Sequence, residues 1–417
     1  MPGFPLETTL NLRRMTGGLS LVRIERSEPS SISAMLAEND SDTIARGTFT
    51  LSADDPLTVV AGSLITIARP PDLALPRFTE DAALNALTER ADALAAEDRL
   101  SGTMLIARKG NIIFEKSWGL ADRETKMPVT TRTRFRLGSA NKMFTSVAIL
   151  QLVNAGKLTL DGTVGRYLPD YPNKDVAAKV TTRHLLTHTG GTGDIFGPEF
   201  TANRTNLKTH LDYVHLYGGR SPQFEPGTKD AYSNYGMVLL GAVIERVGGM
   251  PYYDYVREHI FRPAGMADTD SLPENENVPN RSVGYMWQGN GWSSNVDTLP
   301  YRGTAAGGGY STVRDLLRFA NALEAGTLLP KTLLTEATRP QNHEGWYGYG
   351  FRVGGEGDLR SYGHRGGAPG MNADFRAYPE LGVVLVGLSN LDPNAATRIV
   401  EFYALRMPVT HNRQPRF

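Results

Sequence analysis

In residues 79–417 of the 417-residue chain, strand signals gather at the two ends and helix signals lie between them. Thr103–Ala107 and Ile112–Trp118 are apolar runs joined through Lys109-Gly110-Asn111, which reads as a hairpin. Towards the other end, Tyr347–Val353, Arg360–His364, Ala373–Tyr378 and Val383–Leu388 read as strands and Asn394–Leu405 as a closing helix. Strands so far apart share a sheet only if the chain leaves and returns. The pattern predicts an α/β (α+β) fold, an antiparallel sheet flanked by helices with an α-helical domain inserted. Residues 79–138 and 346–417 are expected to form the sheet subdomain and 139–345 the mainly helical one. Residues 1–78 are expected to form a small accessory α/β module. Its strands are read at Leu19–Ile24, Gly47–Ser52 and Leu57–Ala68, with a short helix at Ser31–Ala37 and a linker at Asp72–Arg77.

Where sheet gives way to helix stands Phe135–Lys157, FRLGSANKMFTSVAILQLVNAGK. It reads as a short strand, a turn at Gly138 and a helix opening at Ser139. Met143, Val147 and Leu150, with Phe144 and Ala148 beside them, recur at spacings of three and four, which predicts one apolar face. Gly156 supplies the stop. Ser139 and Lys142 then lie one turn apart on the same side. A serine at a helix N-terminus sits near free N–H groups, and a desolvated lysine can lose its proton and accept the serine's. Taken alone, Ser-x-x-Lys is short enough to arise by chance, and a serine at a helix start is commonly a cap.

Two further stretches add candidates. Glu225-Pro226-Gly227 precedes Tyr232-Ser233-Asn234-Tyr235-Gly236 and a helix over Met237–Val247. Tyr232 is placed to act as general acid or base, and Asn234 to meet a substrate carbonyl or hold Lys142. The alternative is a turn with Asn as cap and Tyr in the core. Tyr362-Gly363-His364-Arg365-Gly366-Gly367 puts glycines beside a strand, where a backbone or ligand approaches closely. The N–H groups of Gly367 and Ser139 are a candidate oxyanion hole, with a bulge and turn as the alternative. Ser311 is read as the cap of a helix over Ser311–Leu323.

Composition excludes several classes. Lys+Arg and Asp+Glu are 44 each, so no net charge favours nucleic acid or an anionic membrane. With no cysteine there is no disulfide, thiolate metal site or cysteine nucleophile. His184 and His188 are four apart, but the glutamate of His-Glu-x-x-His is missing. Neither Gly-x-Ser-x-Gly nor a phosphate-binding Gly-x-x-x-x-Gly-Lys-Ser/Thr occurs. No apolar run is long enough to span a bilayer or serve as a signal-peptide core. The chain is expected to be soluble, and cytoplasmic rather than periplasmic.

Ser-x-x-Lys at 139–142, Tyr-x-Asn at 232–234 and His-x-Gly at 364–366 together resemble the serine β-lactamase and penicillin-binding protein superfamily, in its class C-like branch. Leu185-Leu186-Thr187-His188-Thr189-Gly190-Gly191 is similar to that branch's Leu-Leu-x-His-x-Ser-Gly stretch, and the Gly307–Gly309 run before Ser311 also fits. The resemblance covers about residues 80–417. It implies a β-lactamase/transpeptidase-like fold and an acyl-enzyme on Ser139. Lys142 and Tyr232 would share proton transfer, with Tyr232 the favoured base. Asn234 would position Lys142 and substrate, and Ser139 and Gly367 would form the oxyanion hole. His364 would replace the third-motif lysine of Lys-Thr-Gly, leaving Arg365 to supply a positive charge beside Gly366. Loss of that lysine and hydroxyl moves the implied activity from β-lactams towards carboxylesterases of small or short-chain esters. D-aminopeptidase, peptidoglycan peptidase or weak β-lactamase activity is the alternative, and a non-catalytic scaffold a third. The substrate would be a small ester or amide, with no cofactor or metal. Tyr301 and Trp346 are possible cleft residues.

Overall fold

The computed structural model describes residues 6–55 and 58–409. Leu57 of one expected strand, and the ends 1–5 and 410–417 of the two expected domains, lie outside the described residues. The described residues divide into two compact units: one holds residues up to 89 with 289–291 and 401–408, the other the remainder.

The smaller unit carries a four-stranded antiparallel meander, Leu19–Glu28, Ser31–Glu38, Ile44–Leu51 and Val59–Ile67 in that order. Ser31–Ala37, expected as a helix, is an inner strand of this sheet. It pairs with Leu19–Glu28 on one side and Ile44–Leu51 on the other. Two ladders satisfy its backbone, and that tertiary pairing overrides the helix preference of Ala, Met and Leu. Leu6–Thr16 is an α-helix for which the sequence reading has no element.

The larger unit is built on a six-stranded antiparallel sheet. Its order is Arg352–Gly354, Ser361–Ala368, Met371–Tyr378, Val383–Ser389, Gly102–Arg108 and Asn111–Trp118. The central strand Val383–Ser389 is buried throughout and joins the C-terminal strands to the hairpin. Of the expected strand Tyr347–Val353 only its end is strand. Tyr347 is instead held by Asn342 and Gln341, and Gly350 turns the chain at φ +76.

Register assigns faces. His364, Phe375, Val386 and Leu105 are cross-strand partners and share one face; Phe375 meets Phe319, which meets Phe144. Arg365, Asp374 and Gly387 share the other. There helix Ala395–Arg406 packs so closely that a Cβ on Gly387 would sit 2.5 Å from Val400 Cγ2.

Helix Lys142–Asn154 departs from its expected single apolar face: Lys142 through Leu150 are all buried. Its polar groups survive burial because each is bonded inside. Thr145 Oγ1 donates to the Ala305 carbonyl at 2.7 Å and Ser146 donates to the Tyr349 carbonyl. Gly156, at φ +67, ends the helix. The Lys157 and Gly156 N–H groups return to the carbonyls of Leu152 and Val153, both at 2.9 Å.

Helix Val313–Glu324 is capped by Thr312, not Ser311. Ser311 is committed to a two-residue ladder with Phe135 and a hydroxyl contact to Thr269, so the next residue accepts from the Asp315 N–H at 3.2 Å. Thr312→Ala is expected to lower the unfolding free energy by about 1 kcal/mol, read by urea denaturation, whereas a cap at Ser311 would leave it unchanged.

Candidate active site

Ser139 lies in a 3-10 turn, Gly138–Asn141, that precedes the buried helix. Gly138 takes φ +53, and a Cβ there would come within 3.0 Å of the Gly367 nitrogen. On Gly366 a Cβ would fall 1.8 Å from the Leu137 carbonyl oxygen and 3.0 Å from the Ser139 nitrogen. The turn is thus pressed backbone to backbone against strand Ser361–Ala368, and the nitrogens of Ser139 and Gly367 meet at that junction. From the other side Gly308 N–H donates to the Gly138 carbonyl at 3.2 Å, and Leu137 N–H to the Gly309 carbonyl at 3.1 Å.

Lys142 is fully buried. Its Nζ lies 3.0 Å from Ser139 Oγ and 2.7 Å from Asn234 Oδ1, and also contacts the Ala306 carbonyl. Two of these neighbours can only accept. A neutral amine gives its two N–H bonds to them and turns its lone pair to the serine hydroxyl. Burial pushes the ammonium down to about 7; the Asp194 carboxylate opposes this and the Arg352 guanidinium adds to it.

Tyr232 lines the same cleft as Ser139, and its ring centroid is 4.8 Å from Lys142 Nζ. Burial is the largest influence on the phenol and pushes it up, against the Ser139 hydroxyl and Arg352. The residues on either side of it are pinned by His188, which accepts the Ser233 N–H on Nδ1 at 3.2 Å and the Ala231 N–H on its carbonyl at 2.9 Å. Ser233 then caps helix Asn234–Gly248 by accepting the Gly236 N–H at 2.8 Å. His184 closes the capping box of the short helix Thr182–Leu186.

The structure brings Ser139, Lys142, Tyr232, Asn234, Gly366 and Gly367 together. It does not bring His364 or Arg365 to the lining of the cleft at Ser139. His364 Nδ1 donates to the Arg365 carbonyl at 2.5 Å and Nε2 accepts from Tyr347 at 2.9 Å, so neither nitrogen is left for a ligand. Burial, then Lys142, holds this imidazole well below its usual range, and it stands as neutral packing behind Tyr232. Arg365 is on the opposite face of its strand, paired with the buried Asp374 at 3.2 Å. The cation whose field reaches Lys142 and Tyr232 is Arg352, absent from the sequence reading, which lies over Trp346 at 5.2 Å. Asp194 was missed too; it accepts from Asn234 Nδ2 at 3.0 and 3.1 Å. Its only sequence signal is its place just after the Thr-Gly-Gly run.

A cleft of about 450 Å³ opens on Ser139, Tyr232 and Asn234. Phe196, Phe200, Leu299, Pro300, Pro369 and Met371 make most of its wall apolar. Its one lining Arg or Lys, among the described residues, is Arg302, whose guanidinium donates to the Ser271 carbonyl and stacks 3.3 Å over Tyr253. Tyr301 lines a neighbouring cavity.

The Beta-lactamase family model matches residues 86–406. The chain belongs to the Beta-lactamase family. Penicillin-binding protein 4* of Bacillus subtilis (strain 168) is 32% identical over 323 residues, 72% of this chain and 70% of that protein. Esterase EstB of Burkholderia gladioli is 32% identical over 305 residues, covering 63% of this chain and 76% of the esterase. A D-stereospecific amidohydrolase structure from Streptomyces sp. matches with a TM-score of 0.63 at 30% identity, over 76% of this chain and 96% of that one. The fold is β-lactamase/transpeptidase-like, and the chain falls in a superfamily of serine hydrolases that includes esterases, amidases and penicillin-binding proteins. Among the described residues no helix is long and apolar enough to cross a membrane.

In this family member the turn at Ser139 tolerates no Cβ at 366. Gly366→Ala is expected to slow labelling of Ser139 by a fluorophosphonate about 100-fold or more, on the scale of losing an oxyanion donor, in protein whose melting shows it folded. An unchanged rate would separate the junction from reactivity.

Proposed function

We propose that the chain hydrolyses uncharged, short-chain carboxylic esters through an acyl-enzyme on Ser139. The observation that carries this is the set of neighbours around Lys142 Nζ, two obligate acceptors and one hydroxyl. The neutral amine takes the Ser139 proton as Oγ bonds the ester carbonyl carbon. The N–H groups of Ser139 and Gly367 receive the negative oxygen. The Tyr232 phenol, protonated because burial raises it, gives its proton to the departing alkoxide and recovers one from the Lys142 ammonium. Water then repeats the sequence to release the acid. This assigns the base to Lys142, with Tyr232 a neutral donor, and reverses the order the family resemblance suggested. Asn234 holds Lys142. Residues 1–78 are an accessory module outside the chemistry.

Ester preference is supported by the apolar cleft, by Arg302 being tied to its own backbone and ring partners, and by Arg365 facing away. Among the described residues, a substrate carboxylate meets no Arg or Lys on the cleft wall other than the tied Arg302. The likeness to the amidohydrolase supports an amide as the second substrate class. Side-by-side kcat/KM for p-nitrophenyl butanoate, a D-alanine amide and a chromogenic cephalosporin tests the choice. The ester is expected to lead, and a leading amide or cephalosporin would overturn it.

Ser139→Ala is expected to lower kcat by about 10⁴-fold or more; full activity in the pure variant would end the assignment. The pH profile carries the sign of the base. Because the neutral amine is the active form, kcat/KM falls as pH drops through about 7 and levels off above it. A profile flat from pH 5 to 9 would exclude Lys142 as the base.

A further inference from the structure

We infer that Asp194 is a positioning residue for this reaction, fixing the Asn234 amide with its oxygen towards Lys142 and its nitrogen away. The inference rests on the role proposed for Ser139 and Lys142. Asn234 Nδ2 donates to both Asp194 oxygens, at 3.0 and 3.1 Å, while Oδ1 accepts from Lys142 at 2.7 Å. A carboxylate can only accept, so the amide has one satisfied orientation. Turned over, it would aim N–H bonds at the lysine lone pair and cancel the base.

Asp194 is itself held. Its Oδ1 accepts the Ile195 N–H at 2.6 Å, and the preceding Gly193 carbonyl accepts Ser233 Oγ, the cap of the helix that Asn234 begins. The groups facing Asp194 are Asn234, Lys142, Tyr232, Tyr217 and Arg220. Arg220 donates to the Asp194 backbone carbonyl at 2.9 Å and is paired with Glu199. No basic side chain pairs with the Asp194 carboxylate among the described residues. The groups facing Lys142 are Tyr232, His188 and His364, all held neutral, together with Arg352 and Asp194. Asp194 is the one anion in that set. It therefore both orients the amide and favours the protonated lysine.

Two consequences separate this from a merely structural role. Asp194→Asn removes the charge and lets the amide sit either way up, so reactivity falls while the remaining base deprotonates more readily. The measurement is the rate of Ser139 labelling by a fluorophosphonate between pH 5 and 9, for wild type, Asp194→Asn, Asn234→Ala and the double variant. For a base at about 7 the wild-type rate at pH 6 is about one-tenth that at pH 8. Asp194→Asn is expected to label about 10-fold more slowly at pH 8, with a larger pH 6 to pH 8 ratio. The double variant is expected to be no slower than Asn234→Ala, because the two act in series. An unshifted profile, or losses that multiply, overturns the inference. Asp194→Glu, which keeps the charge, is the control for folding: with wild-type melting, it should retain the wild-type ratio. If wild type itself is not labelled, the acyl-enzyme reading falls and this inference with it. A labelled wild type with an unshifted Asp194→Asn overturns this inference alone.

Discussion

Everything at this site depends on keeping an amine out of water. Lys142 starts a helix that is buried all round from Lys142 to Leu150, and no solvent reaches its Nζ to stabilise a charge. Burial alone would be destructive if the amine lacked partners. Here it has three, supplied by three separate parts of the chain: the turn at Ser139, the helix that begins at Asn234, and the Thr304–Gly309 loop. That loop is in turn fastened, since Asn141 donates to the Thr304 carbonyl at 2.9 Å and His210 accepts the Ala305 N–H at 3.0 Å. The polar network and the hydrophobic core are therefore one construction. The apolar side chains dry the lysine, and the backbone carbonyls accept what drying would otherwise leave unsatisfied.

The sheet contributes by sorting side chains between its faces. Strand Ser361–Ala368 sends His364 towards the helical layer and Arg365 away from it, because successive residues alternate. A neutral imidazole and a glycine thus lie behind the serine, with the charge on the other side. The same alternation leaves the strand edge near Gly367 with backbone alone facing the nucleophile turn.

Much of this was legible in the sequence. The split sheet and the order of the long elements follow from periodicity, and the grouping of Ser139, Lys142, Tyr232 and Asn234 from the family resemblance that three motifs in order carry. The misses share a cause. Ser31–Glu38 is a strand because the strands on both sides of it pair with it, which local preference for helix does not register. Arg365 looked available because it sits inside a motif, and only register shows that it points away. Asp194 and Arg352 act through space on Lys142 from loops and a strand edge that no motif marks. The resemblance puts His364 in the place of a substrate-holding lysine, but its partner Tyr347 lies in a segment whose strand pattern does not reveal that bond.

Gly138, Gly366 and Gly307 lie where main chain rests on main chain, and an added methyl group at any of them meets backbone atoms within 3.3 Å. That part of the cleft therefore has no side chains to exchange. The wall that meets the rest of a substrate comes from other segments, around Phe196–Phe200, Thr298–Pro300 and Pro369–Met371. The junction at the nucleophile turn and the wall of the cleft are written in different materials, rigid main chain for one and exchangeable side chains for the other. A lineage built on this plan can change what it hydrolyses many times over without touching how it hydrolyses. Relatives as different in name as an esterase and an amidohydrolase are the expected outcome.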